Sequence, residues 1–291
     1  MQNLDLTPAQ KFISKLQKDN VFAPNKIVSL ADLTQLPVRK GLEMAVISNG
    51  TLVNTVSKGY GHLPNEVFFG EVEKQLQAAG IEYVTRSINR DDRSFSVDYI
   101  LNDENYIVKV ANAQDRILPM IRFTNSYDGS NKTSGHFGYY REVCSNGLHI
   151  AETKLGFSAK HKGDIIEVSM QGIEMMVNKF LENEYYSLSK KFEVLAETYI
   201  ADLDGFVKAT AESLNLFKFE KSDKNPEPSL NARMVLEIMN REAKQLGTKP
   251  TLWHGYNAFN EVLHTKLKKT FDKQAEIDSK LFNTIFEGVE A

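Results

Sequence analysis

Cysteine occurs once in this chain, at Cys144, so no intramolecular disulfide can form and the fold must rest on packing. No charge of one sign dominates. There are 35 basic and 38 acidic side chains, a formal net charge of −3, so any attraction to a polyanion has to come from a local patch. No run approaches the roughly 20 apolar residues that span a bilayer. The opening MQNLDLTPAQKF lacks an apolar segment of the signal-peptide type. These absences lead us to expect a soluble cytoplasmic protein without a membrane partner, a virion location being the alternative. Fixed-period repeats and low-complexity tracts are missing too. No arrangement of residues matches a known catalytic motif, which points away from an enzyme and from a bound cofactor.

What is present is an ordinary globular composition, 42% apolar and 25% charged over 291 residues, enough for one large core or two smaller ones. Thr7-Pro8 reads as a helix start and is followed by polar, proline-bearing sequence, so residues 1–40 are expected to form an N-terminal arm. MAVIS and TLVNTV flank Asn49-Gly50, the strongest short hairpin signal available. A helix is predicted from near Pro64 to Gly80. The period then changes to two. Phe95, Val97, Tyr99 and Leu101 alternate with Ser94, Ser96, Asp98 and Ile100, which predicts a half-buried strand partnered by Glu82–Ile88. Tyr106–Val110, Ile117–Thr124 and Gly138–Val143 are further strand candidates.

Beyond Asp164 helical spacing takes over, from Ile173 to Leu195, over Asp202–Phe217, over Leu230–Gln245 and over Trp253–Phe286. Glu220–Ser229 is the best linker. Strands followed by helices argue for α+β. The expectation is a mostly antiparallel central sheet preceded by a helix and covered by long C-terminal helices. Residues 41–170 would hold the sheet and 171–291 the helices packed on it, as one compact unit.

Polar groups crowd into residues 123–164. Cys144, His149 and His161 have the residue types of a zinc site but not its spacing, and a buried thiol with hydrogen-bonded imidazoles fits them better. Catalysis by Cys144 with a histidine would need a stabilised thiolate, which a strand end seldom supplies. Asn125 to Ser130 is turn chemistry, and Asn125, Asp128, Cys144 and Asn146 are expected to scaffold loops. Trp253, Tyr256 and Phe259 read as core anchors of a helix.

Between Ala111 and Lys162 seven lysines and arginines face four acids, with Tyr127, Phe137, Tyr139, Tyr140 and Phe157 interleaved. Cations for phosphates beside aromatic rings for bases is the composition of single-strand binding. The candidate site residues are therefore Arg116, Arg122, Lys132, Arg141, Lys160 and Lys162 for phosphates, and Tyr139 or Tyr140 for stacking. Alternation along a strand puts Tyr139 and Tyr140 on opposite faces, so at most one should stack.

Asn125-Ser126-Tyr127-Asp128-Gly129-Ser130, Arg141-Glu142-Val143-Cys144-Ser145-Asn146-Gly147, Lys160-His161-Lys162-Gly163 and Trp253-His254-Gly255-Tyr256-Asn257-Ala258-Phe259-Asn260 occur in that order. The set resembles a family of phage- and plasmid-encoded proteins of unknown function, from about Leu63 to about His264. Lys160 stands where such proteins tend to carry arginine, which keeps the charge and loses the bidentate fork. The resemblance implies a mobile-element origin and brings no established chemistry. The order of elements is loosely similar to that of ring-forming single-strand annealing proteins, an analogy of fold alone. Together these readings favour a phage-type, non-enzymatic, self-associating protein that binds single-stranded nucleic acid in recombination or replication. The rival is a structural or packaged virion protein making protein–protein contacts, which the balanced charge favours.

Overall fold

A computed structural model describes residues 19–101, 106–110, 115–141, 147–148, 156–181, 185–222, 225–266 and 271–290. The helix start at Thr7-Pro8 lies outside them.

The first sheet has three antiparallel strands, β1 (Asn25–Ser29), β2 (Met44–Ser48) and β3 (Thr51–Val56). Asn49 and Gly50 join β2 to β3 with φ of 49° and 74°, the left-handed pair a two-residue hairpin needs. The predicted arm contributes β1, which pairs along its whole length with β2. Helix α1 (Asn65–Ala78) follows, starting after Pro64 and stopping before Gly80, whose φ is 68°.

The central sheet is antiparallel throughout, formed by β4 (Tyr83–Arg90), β5 (Ser94–Leu101), β6 (Val108–Val110), β7 (Asp115–Ser126), β8 (Thr133–Arg141), β9 (Gly147–Leu148) and β10 (Phe157–Ala159). Its main path runs β10-β8-β7-β5-β4, with β6 beside β7 and β9 beside β8. Pro119 is tolerated inside β7 because the ladder with β5 ends at Met120 and that with β6 at Ile117, so the missing N–H falls in the gap.

After the sheet come α2 (Ile165–Leu181), α3 (Tyr185–Glu197), α4 (Leu203–Ser213), α5 (Leu230–Gln245), α6 (Leu252–Lys266) and α7 (Phe271–Glu290). This is the α+β arrangement expected, with long C-terminal helices. Glu220–Ser229, the expected linker, instead contains the short antiparallel pair β11 (Glu220–Ser222) and β12 (Asn225–Pro228). A two-stranded ribbon has only edges, so Pro226 and Pro228 cost it little.

One face of the sheet meets the main core. Val97, Tyr99, Ile121, Phe123, Phe137 and Tyr139 pack with Phe68 and Phe69 of α1, Phe180 of α2, Phe192 of α3 and Trp253 of α6. Gly135 sits between Phe123 and Phe157, each with a ring carbon 2.8 Å from where a Cβ would lie, so its missing side chain makes room for two rings. The opposite face carries a second apolar cluster, Ile100, Ile107, Leu118, Met120 and Tyr140. Tyr139 and Tyr140 thus do take opposite faces. The expectation that β5 is half-buried is corrected: Ser94, Ser96 and Asp98 are buried along with their apolar neighbours. Both faces of the strand are covered.

Candidate nucleic-acid interface

Pairing register puts four titratable side chains in one row across the covered polar face: Arg86 opposite Asp98, Asp98 opposite Arg122, and Arg122 opposite His136. Arg122 grips Asp98 with two hydrogen bonds, from Nε to Oδ1 and from Nη2 to Oδ2 at 2.7 Å. The Tyr140 hydroxyl donates to Asp98 Oδ2 at 2.6 Å and accepts from Arg86 Nη1. Burial alone would raise the Asp98 carboxyl. The charge and hydrogen bonds of Arg122, with Arg86 and Tyr140 adding to them, outweigh that and hold it below the usual carboxylate range. Burial, and then the Asp98 charge, push the Tyr140 phenol up. Phe271 of α7 lies over this row, 4.0 Å from the Arg90 guanidinium and 5.8 Å from that of Arg122.

A second ionic centre closes the main core at the far end of β8. Arg141, fully buried, donates from Nε (2.9 Å) and Nη2 (2.6 Å) to Asp115 Oδ2 and from Nη1 to Glu242 Oε2 (3.0 Å). The indole N–H of Trp253 reaches the same Asp115 oxygen at 2.8 Å, and the Arg141 guanidinium lies 5.4 Å from the Trp253 ring. Burial raises the Glu242 carboxyl, with Arg141 opposing it. His254 lowers the cost of starting α6. Its Nδ1 accepts the Thr251 backbone N–H at 3.1 Å and faces the Thr251 hydroxyl at 2.8 Å, so histidine makes the back-bond to the N-cap N–H that glutamate makes in a capping box. Burial, and then the charge of Arg141, bring its imidazole down to about 4.

The eight residues singled out in the sequence therefore part company. Arg122, Tyr139, Tyr140 and Arg141 are buried: the two arginines neutralise interior carboxylates, and Tyr139 packs edge-on to Phe192 at 4.9 Å. Buried ion pairs and core rings are not open to a polynucleotide. Arg116 is half-buried near the start of β7, across from Lys109. Lys132, Lys160 and Lys162 are exposed and come together at the β10 edge. The last pair between β8 and β10 is Thr133 with Ala159, so Lys132 and Lys160 are one step beyond it. Lys162 then bridges Tyr60, and exposed Lys58 is two residues further along. Arg116 is eight positions along β7 from Thr124, about 26 Å from this end of the sheet.

A model of a domain of unknown function (DUF932) matches residues 53–281. The chain belongs to that family. No curated protein and no solved structure matches it. In this DUF932 chain Asn125 does hold loops, donating to Leu63 O and Asn65 Oδ1 at 2.8 Å each, and Asp128 accepts the Ser130 N–H at 2.9 Å. Cys144, Asn146 and His149 lie outside the described residues. Among the described residues no group of three histidines, cysteines and carboxylates is placed to hold a metal ion, and no helix is long and apolar enough to cross a membrane.

Sequence reasoning missed Asp98, Asp115, Glu242 and Tyr60. A signal existed for the first: Asp98 and Arg122 each interrupt an apolar stretch of neighbouring strands, a mark of pairing inside a sheet. Nothing local marks Glu242, which is 101 positions from its partner.

Proposed function

We propose that this chain is a non-enzymatic binder of single-stranded nucleic acid that takes phosphates at the β10 edge of its central sheet. The observation that supports the reading is the gathering of Lys132, Lys160 and Lys162, with Lys58 beside them, at one exposed corner. Of the acids nearby, Asp128 and Asp164 accept from backbone N–H groups of Ser130 and Glu167, while Glu43, its carboxyl lowered first by the Gly41 N–H and also by the Lys58 charge, lies beside Lys58. Arg122 and Arg141 leave the binding role and instead stiffen the scaffold that presents the corner. A role in phage or plasmid recombination or replication, acting as a homo-oligomer in the host cytoplasm, fits a small cationic corner on a rigid sheet.

Fluorescence anisotropy with a labelled 30-nucleotide single strand, repeated over a range of salt, tests this. About three neutralised phosphates give a slope of log affinity against log salt near −2. The double variant Lys160→Gln, Lys162→Gln is expected to bring the slope close to −1 and weaken binding at low salt. Absence of binding by the unaltered protein at low salt overturns the proposal and leaves the virion-protein rival, whose sign is a defined assembly in light scattering without nucleic acid.

A further inference from the structure

We infer that Tyr60, stacked on His161, is the platform on which one base of that strand lies. This rests on the proposal above and names the group the corner recognises besides phosphate. Stacking platforms need a flat ring held rigidly, with solvent access and cations alongside. The two tyrosines of β8 fail on access. Tyr60 has a fixed ring, partial access to solvent and lysines alongside.

Its ring lies nearly parallel to the imidazole of His161, 14° between planes and 5.4 Å between centroids. His161 is held at both ring nitrogens, Nδ1 being 3.2 Å from Gly61 O and Nε2 3.4 Å from Thr133 Oγ1. The Tyr60 hydroxyl donates to Ser126 O at 3.3 Å, which fixes the direction of the ring. The backbones carrying the two rings are joined as well, through the Tyr60–Lys162 bridge and the Gly61 N–H to His161 O at 3.1 Å. That approach depends on glycine. A Cβ on Gly61 would come within 2.9 Å of Ile165 Cγ2 and 3.1 Å of Gly163 O.

Tyr60 is half-buried, packed in part against the main core, and keeps the rest of its surface in solvent, whereas the ring beneath it is buried. Lys58, Lys160 and Lys162 flank it in the chain or across the bridge. Asp128 is the acid whose charge reaches the phenol, so a backbone threading this corner passes on the lysine side. Burial, and then Asp128, raise the phenol above the ordinary tyrosine value, which itself already leaves the ring uncharged at physiological pH.

The test compares the unaltered chain with Tyr60→Leu and Tyr60→Phe, on a 30-nucleotide single strand and on a matched abasic strand. The unaltered chain is expected to prefer the base-bearing strand by roughly tenfold, and Tyr60→Leu to lose that preference while Tyr60→Phe binds it at least about fivefold tighter than Tyr60→Leu. A readout that needs no variant is photocrosslinking of a 5-iodouracil strand, with adducts expected on Tyr60 by mass spectrometry. Undiminished preference in Tyr60→Leu, or adducts only elsewhere, overturns the platform and leaves the phosphate corner standing. Failure of the unaltered chain to bind either strand at low salt removes both.

Discussion

Asp115→Ala probes the ionic centre at the end of the main core, where one carboxylate oxygen serves three donors from Arg141 and Trp253. Deleting one member of a buried ion pair costs about 3–5 kcal/mol, because the remaining charge is uncompensated and dry. The Trp253 N–H loses its acceptor in the same step, worth about 1–3 kcal/mol for a buried group. Glu242 stays 3.0 Å from Arg141 Nη1 and offsets part of this, so the net loss is expected near 4–6 kcal/mol. Against a total stability of about 5–15 kcal/mol, that leaves the variant marginal. Asp115→Asn keeps an acceptor of the same shape without the charge, and its loss falls between the alanine variant and none. Urea unfolding followed by fluorescence reads the effect directly, since Trp253 is the only tryptophan and is part of the network. A midpoint for Asp115→Ala that corresponds to less than about 1 kcal/mol would show that Arg141 is not held as described.

His254 gives the fold an acid-sensitive contribution. Its folded value of about 4 lies below the ordinary histidine value of about 6.5, so the unfolded chain takes up the proton first as pH falls. The stability it contributes is complete above pH 6.5 and is lost on the way to pH 4, about 3 kcal/mol over the window. His254→Asn, which keeps an acceptor for the Thr251 N–H, is expected to flatten that part of the stability–pH curve. An unchanged slope between pH 6.5 and 4 counts against the assignment. Two helix glycines should respond oppositely to alanine. At Gly70 of α1 a Cβ meets nothing within 4 Å, so Gly70→Ala gains about 0.5–1 kcal/mol of helix propensity. At Gly172 of α2 a Cβ would lie 2.5 Å from Phe157 Cγ, so overpacking of about 1–3 kcal/mol lowers the thermal midpoint. Midpoints that move together would remove the distinction.

Much of the architecture was legible because it is encoded locally. Asn49-Gly50 specifies the β2–β3 turn through two left-handed residues, and Pro64 and Gly80 bracket α1. Leu230–Gln245 forms a helix over the range its spacing predicted, started by Ser229, whose side chain accepts the Ala232 N–H. The binding site was legible only in part. Lys160 and Lys162 were candidates from the sequence, but their link to Lys132 comes from the β8–β10 register, and their link to Tyr60 from a bridge across 102 positions. Arg122 and Arg141 were read as phosphate contacts for want of any view of Asp98, Asp115 or Glu242 in space.

Period-two alternation sorts β5 and β7 into faces, and the amino-acid sequence alone determined that sorting: it is a property of extended backbone. Whether each face meets water is decided by what lies across from it, and here Phe271 and Ile107 cover the polar side. Charged residues on a covered face must find counter-charges or destabilise the fold, which is why Arg122 and Arg141 ended as interior ion pairs. The lysines at the β10 edge escaped that fate because they lie beyond the last paired residues of the sheet, where only the assembled fold could bring them together.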